Sequence, residues 1–216
     1  MKTLIIATRN RHKVQEIRAI LGNGFRVLDL NNFPNAPQVV EDAETFAGNA
    51  TKKAVELARW LVQFPPKNGE ITYTDGFVLA DDSGLEVDAL NGAPGVHSAR
   101  FAALDGARAT SGNTADADNN AKLMRLLQSV PAEKRSARFR CVLALAPIAT
   151  QPAEVRIFDG ACEGHISFAP SGHGGFGYDP LFVPVGYQQS FADLGEDVKN
   201  RLSHRFEALG KLQAVL

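Results

Sequence analysis

A chain of 216 residues, 44% hydrophobic and 22% charged, can bury one sizeable core or the cores of two lobes. Its formal net charge of −1 gives no electrostatic reason to expect a nucleic-acid partner, and two cysteines are too few for a disulfide framework or a zinc site. No apolar stretch approaches the ~20 residues of a membrane helix, and Leu4-Ile5-Ile6-Ala7 is too short for a signal peptide, so a cytoplasmic protein without membrane contact is expected.

In chain order, Leu4-Ile5-Ile6-Ala7 reads as a buried strand. Val14, Ile17, Ile20 and Leu21 then recur at helical spacing, with Gly22 as a stop. Thr8-Arg9-Asn10-Arg11-His12-Lys13 is therefore a strand-to-helix turn. Its hydroxyl, amide and cationic groups gather at a helix N-terminus, where backbone N–H groups and the dipole favour phosphate. The turn lacks the glycines of a P-loop, and a capped helix start with solvated basic residues would read the same way. A second strand, Phe25 to Leu30, leads into a Pro-containing loop, Asn31 to Glu41. A long helix follows, with Phe46, Ala50, Ala54, Leu57, Ala58 and Leu61 on one face, stopped by Pro65-Pro66. Glu41 lies just before that helix and Lys53 on it. Pro65 to Asp75 is a polar connection without a readable motif.

The run Val78-Leu79-Ala80 predicts a buried strand ending at Ala80, with Asp81 and Asp82 held where it leaves the core. Adjacent carboxylates repel unless a cation or hydrogen-bond donors compensate. Mg²⁺ selects oxygen ligands of this kind, one or two carboxylates together with substrate phosphates. Asp81-Asp82-Ser83-Gly84 also has the composition of a turn capping a strand. Leu85, Val87 and Ala89 alternate into another strand, and Asn91-Gly92-Ala93-Pro94-Gly95 turns the chain. Leu104 to Asp118 reads as a mobile surface loop. Leu123, Met124, Leu126 and Leu127 mark an amphipathic helix closed by Pro131. Arg138 to Pro147 and Glu154 to Phe168 are two long strands, joined through a turn near Gln151-Pro152 and holding Cys141 and Cys162.

Between Gly172 and Gly177 four of six residues are glycine, so the backbone can approach a ligand closely. Phe176 and Tyr178 offer flat faces on which a base could stack, or fold into the core of a Gly-rich hairpin. Ser203 is a good N-cap for a helix carrying Phe206, Leu209 and Leu212. His204 and Arg205 then stand in its first turn, where the dipole disfavours cations and an anionic or carbonyl-bearing ligand would explain them. Strands and helices alternate early and strands pair late. That pattern predicts an α/β protein with a mixed sheet and no separable linker, a single domain over 1–216.

Taken together, these blocks resemble the inosine triphosphate pyrophosphatase family. The likeness spans the chain: Ala7-Thr8-Arg9-Asn10 with Lys13, Glu41, Thr45-Phe46, Asn49-Ala50, Lys53-Ala54, Ala80-Asp81-Asp82-Ser83-Gly84-Leu85, Gly92-Ala93-Pro94-Gly95 with Ser98-Ala99-Arg100, Gly174-Gly175-Phe176-Gly177-Tyr178-Asp179-Pro180, and Ser203-His204-Arg205. The resemblance implies Mg²⁺-dependent hydrolysis of ITP, dITP or XTP to the monophosphate and pyrophosphate by a homodimer. The fold it implies is a long mixed central sheet flanked by helices, in two lobes with an active-site cleft between them. Thr8, Asn10, Lys13 and Lys53 would hold the triphosphate, with Arg9, Arg11 and His12 in the same substrate-binding turn. Glu41 and Asp82 would hold Mg²⁺, Asp82 serving also as general base, and Ser83 would touch substrate. Phe176, Gly177, Tyr178, Asp179, Lys199, His204 and Arg205 would form the base and sugar pocket. Gly48 departs from the family's frequent acidic residue and His97 from its common aromatic. Two other readings differ in outcome: a phosphatase using an Asp nucleophile would release single phosphates, and a non-catalytic nucleotide-binding regulator would show no turnover.

Overall fold

The structure, a computed structural model, describes residues 2–65, 76–105, 113–149 and 154–216. Its strands are β1 (Thr3–Ile6), β2 (Arg26–Asp29), β3 (Gly76–Val87), β4 (Ser136–Pro147), β5 (Arg156–Ile166) and β6 (Phe182–Pro184). Its helices are α1 (Arg11–Leu21), α2 (Phe46–Gln63), α3 (Asp116–Leu126), α4 (Phe191–Leu194), α5 (Glu196–Leu202) and α6 (His204–Gln213). The strands form one sheet in the order β2-β1-β3-β4-β5-β6. β1 is parallel to β2 and to β3, whereas β5 and β6 are antiparallel. The fold is therefore α/β with a mixed sheet.

Two compact units share the chain. The first comprises Met1–Asp82, Cys141–Asp159 and Glu207–Leu216, and the second Ser83–Arg140 and Gly160–Phe206. In the first, α1 starts because Asn10 accepts hydrogen bonds from the His12 and Lys13 amides, and it stops at Gly22, whose φ of 60° suits glycine. Its Val14, Ile17 and Leu21 join Leu4, Ile6, Leu79, Cys141, Leu143 and Leu209 in one core. Thr45 caps α2 by accepting from the Gly48 amide at 3.0 Å, and the stripe Phe46, Ala50, Ala54, Leu57, Ala58 and Leu61 is buried. In the second unit Leu85, Val87, Phe101, Leu123, Phe139, Tyr178, Phe182 and Phe191 make a separate core. Both cysteines lie buried in strands, and neither is in a disulfide.

Four expectations change. The strand does not end at Ala80: β3 continues unbroken to Val87, so Asp81 and Asp82 sit inside a buried strand and form no turn. Ala89 falls in a short 3-10 turn, Asp88–Leu90, beyond that strand. The segment Leu104 to Asp118 includes the start of α3, whose first turn carries Asp116 and Asp118 where the dipole favours acids. Phe206 is 42% exposed, and α6 buries Ala208, Leu209 and Leu212 instead. Residues 66–75 and 106–112, and the predicted turn near Gln151-Pro152, lie outside the described residues.

Arg135 shows how the second unit closes between α3 and β4. Its guanidinium, on a residue only 1% exposed, donates to the carbonyls of Leu127, Val130 and Ser167 at 2.6, 2.9 and 2.9 Å. Replacing it with Met leaves three carbonyls without that donor and should destabilise the protein by on the order of 3 kcal/mol. Urea denaturation measures this; a loss under ~0.5 kcal/mol, the usual scale of a surface substitution, would refute it.

Candidate functional site

Alternation along β3 sends Asp81 and Asp82 to opposite faces of the strand, and each meets a lysine. Asp81 Oδ1 accepts from Lys13 Nζ at 2.5 Å, and its Oδ2 lies 3.4 Å from the Cys141 thiol. On the other face Lys53, from the buried side of α2, donates to Glu41 Oε2 and the Asp81 carbonyl, both at 2.9 Å, and to Asp82 Oδ1 at 3.3 Å. Lys53 is 8% exposed and Asp82 6%. A buried ammonium of this kind is tolerable only because three oxygens face it. Burial alone would lower its pKa, but Asp82 and Glu41 outweigh that and hold it above its ordinary value.

The carboxylates respond in opposite directions. Burial pushes Asp82 up to about 6, against the pull of Lys53 and Lys13 and with a further push from Glu41. Glu41 is also raised by burial, but Lys53 outweighs this and holds it below its ordinary value. Each carboxyl shifts the other, so their titrations belong to the pair. Asp82 Oδ2 is buried and receives no hydrogen bond from the described residues. An orphaned carboxylate oxygen beside a second carboxylate fits a hard divalent cation, whose other ligands would be phosphate oxygens and water. Among the described residues no group of three or more His, Cys, Asp or Glu is arranged to hold a metal by itself.

Glu41 owes its place to the residues after it. Asn49, 1% exposed, brackets Ala43 by accepting from its amide at 3.0 Å and donating to its carbonyl at 3.3 Å. A Cβ on Gly48 would come within 2.7 Å of the Ala43 Cβ, so an acidic side chain there would displace the segment that follows Glu41. At the α1 turn, Thr8 Oγ1 accepts from the Asn10 amide at 3.1 Å, while Arg9 donates to the Ala36 carbonyl at 3.0 Å. Arg11 and His12 are exposed. Because Asn10 already occupies the His12 and Lys13 amides, those two N–H groups are not open to a phosphate.

The second unit holds another cluster. Lys199, on α5, donates to Asp179 Oδ2 at 2.6 Å, both residues being buried. The same carboxylate oxygen accepts from the Phe176 amide at 2.8 Å, and the Lys199 ammonium lies 4.4 Å from the Phe176 ring centroid. Gly175 makes this possible, since a Cβ there would come within 2.1 Å of Asp179 Oδ2. Phe176 is half-buried. Tyr178 lies in the core and donates its hydroxyl to the Ser98 carbonyl at 2.8 Å, so of the two predicted aromatic faces only Phe176 is partly open. His204 is buried and stacks on Phe139 at 5.0 Å, and Arg205 donates to Ser83 Oγ at 3.3 Å. Sequence reasoning missed Asp81 as the partner of Lys13 and Asn49 as the bracket on Ala43. The Asp-Asp doublet and the Asn-Ala pair inside a helix were the available signals.

The fold is mixed α/β, with one buried lysine between carboxylates on a central strand and a second buried lysine against a glycine-rich loop. A profile of the Ham1 family matches residues 4–215, and the chain belongs to that family. It is 45% identical over 214 residues to a dITP/XTP pyrophosphatase of Desulforamulus reducens, covering 99% of this chain and 94% of that protein. A dITP/XTP pyrophosphatase of Geobacillus kaustophilus is 46% identical over 213 residues, with 98% and 93% covered. Among solved structures, a HAM1 protein from Coxiella burnetii superposes with a TM-score of 0.77 at 35% identity, covering 100% of this chain and 98% of that one.

The carboxyl pair makes a pH-dependent contribution to stability. Asp82 binds its proton more tightly folded than unfolded, so its contribution is present below pH ~4 and lost as the pH rises through about 6. Glu41 runs the other way, its contribution being lost as the pH falls below its ordinary value of 4.5. In metal-free buffer Asp82→Asn should therefore be more stable than wild type at pH 7.5, by ~1–3 kcal/mol, with the gap closing below pH ~5. Chemical denaturation across that range measures it. An Asn variant less stable than wild type at pH 7.5 would contradict the assignment.

Proposed function

We propose that this chain hydrolyses non-standard purine nucleoside triphosphates, ITP, dITP and XTP, to the monophosphate and pyrophosphate, with Mg²⁺, and so cleans the nucleotide pool. One observation carries the reading. Buried Asp82 shares Lys53 with Glu41, and Lys13 holds the adjacent Asp81, a setting whose desolvation pushes Asp82 up to about 6. Attack at the α-phosphorus needs a base to accept a proton from water and cations to offset charge on the phosphates. Full-length similarity to dITP/XTP pyrophosphatases supports the same choice of substrate.

In this reading Asp82 takes the proton from the attacking water as the oxygen bonds to the α-phosphorus. The bond from that phosphorus to the bridging oxygen breaks, and pyrophosphate leaves. Glu41 and Asp82 would hold Mg²⁺, which when bound supplies further positive charge against the phosphates. Lys13 contributes donors on the phosphate oxygens and Lys53, whose three N–H groups face Glu41, Asp81 and Asp82, adds positive charge beside them, with Thr8, Arg9, Asn10, Arg11 and His12 forming the surrounding turn. Asp81 holds the Lys13 ammonium and does not itself meet the substrate. Ser83 touches substrate, and Phe176, Gly177, Tyr178, Asp179, Lys199, His204 and Arg205 serve the base and sugar, Phe176 by stacking and Tyr178 and Asp179 by fixing the loop. A homodimeric assembly and a cytoplasmic location complete the proposal, on the strength of the same family resemblance.

Product analysis on dITP, XTP, GTP and ATP tests it. Pyrophosphate and monophosphate are expected from dITP and XTP, whereas release of single phosphates would replace this reading with a phosphatase. Asp82→Asn should lower kcat by ~10²–10⁴-fold, the usual worth of a general base. Turnover within a few-fold of wild type at saturating Mg²⁺ would remove Asp82 from that role. Lys13→Ala should weaken dITP and free pyrophosphate alike and leave the order of base preference unchanged, because an ammonium acts on phosphate as a point charge. A reordered base preference would place Lys13 with the base instead.

A further inference from the structure

The glycine-rich loop is held at a point that neither the sequence motifs nor the proposed chemistry explains. Gly177 lies between Phe176 and the buried Tyr178, with φ at +64°. Its amide donates to Asp116 Oδ2 at 2.6 Å, and its carbonyl accepts from Asn120 Nδ2 at 2.9 Å. Asp116 and Asn120 are four residues apart on α3, one helical turn, so both face the same strip of backbone. One helix face thus grips both polar groups of a single glycine.

The grip acts where the loop is otherwise loosest. A Cβ built at Gly177 meets nothing within 4 Å, so packing does not restrain the residue, and glycine has the widest choice of backbone conformations. Its neighbours are anchored elsewhere: the Phe176 amide on Asp179, and the Tyr178 hydroxyl on the Ser98 carbonyl. The torsions about Gly177 therefore decide how the half-buried Phe176 ring is presented. The Asn120 amide can serve in one orientation only, because rotating it would point its oxygen at the Gly177 carbonyl. The next residue back repeats the device, since Asn119 Oδ1 accepts from the Ala102 amide at 2.8 Å and from Thr114 Oγ1 at 2.6 Å. The start of α3 is thus a bracket for two separate loops of the second unit.

The geometry points to Asp116 and Asn120 as positioning residues for purine recognition: they fix the Gly177 peptide, and through it the ring of Phe176 on which the base stacks. This rests on the proposed function and adds to it two residues on an element that holds none of the proposed catalytic or binding groups. Their effect belongs to the base end of the substrate and leaves the phosphate end untouched. A ring already held in place costs less ordering on binding, so loss of the bracket appears in affinity and spares the chemical step.

Product inhibition separates the two ends. IMP carries the base, and inorganic pyrophosphate does not. For Asn120→Ala and Asp116→Ala, KM for dITP and Ki for IMP should each rise about tenfold, equivalent to ~1.4 kcal/mol, while kcat and Ki for pyrophosphate stay within about twofold. Asp116→Asn retains an oxygen acceptor and should recover most of the wild-type Ki for IMP. The inference is overturned if IMP and pyrophosphate inhibition shift together, if neither shifts, or if Asp116→Asn is as impaired as Asp116→Ala. Wild-type enzyme that fails to release pyrophosphate from dITP would overturn the proposed function as well, whereas active wild type with unaltered variants overturns this inference alone.

Discussion

The structure of the first unit depends on one buried ammonium. Lys53 reaches from α2 to the Asp81 carbonyl, to Asp82 and to Glu41, all within 3.3 Å. Without it, β3 would carry two carboxylates through the protein interior with only Lys13 to offset them, at a large desolvation cost. With it, strand, helix and the loop before the helix are fixed to one another by a single charged atom. Thr45 and Asn49 then set the path of that loop, and the absence of a side chain at Gly48 lets Ala43 approach the helix. The lysine does not neutralise the site fully. Asp82 remains raised to about 6 and keeps one oxygen without a donor. A fold that tolerates a strained carboxyl at this position has given up stability for a group that accepts protons near neutral pH.

The second unit repeats the device with different parts. Lys199 and Asp179 form a buried pair, and Asp179 spends the same oxygen on the Phe176 amide. Here the pair organises a loop. Gly175 leaves room for the carboxylate, Tyr178 ties the loop to Ser98, and α3 holds Gly177 from the side. The result is one aromatic ring with a cation against it and a constrained backbone on either side. In each unit a buried lysine makes an otherwise unfavourable carboxylate usable, and in each a helical asparagine secures a neighbouring backbone segment.

Local chemistry was legible in the sequence and distant pairing was not. The apolar stripe of α2, the cap at Ser203 and the stop at Gly22 follow from spacing and cap preference, and the structure has them. The exit of the strand at Ala80 was misread because two acids in succession ordinarily mean solvent. What keeps them inside is a pair of lysines, Lys13 at 68 residues from Asp81 and Lys53 at 29 from Asp82, which no local pattern encodes. Helix α5 escaped notice because seven residues between Gly195 and Ser203 are too few to display a period. The stripe expected on α6 included Phe206, yet a three- and four-residue spacing fits neighbouring faces almost equally well, and packing selected Ala208 with Leu209 and Leu212. The blocks that suggested a nucleotide pyrophosphatase were visible because each concentrates uncommon residue types in a short span. The partners that make those blocks work, Asp81 for Lys13 and Asp116 and Asn120 for Gly177, lie 57 to 68 residues away.

The state of the Asp82 carboxyl decides between a strained acid awaiting its substrate and an ordinary ion-paired carboxylate. Carbon-13 NMR of the side-chain carboxyl in metal-free protein, assigned by its loss in Asp82→Asn, reads this directly. Burial within β3 predicts a titration midpoint of about 6. A midpoint at or below the ordinary aspartate value of 3.8 would mean that Lys53 and Lys13 overcome the desolvation, and would contradict the account of the site given above.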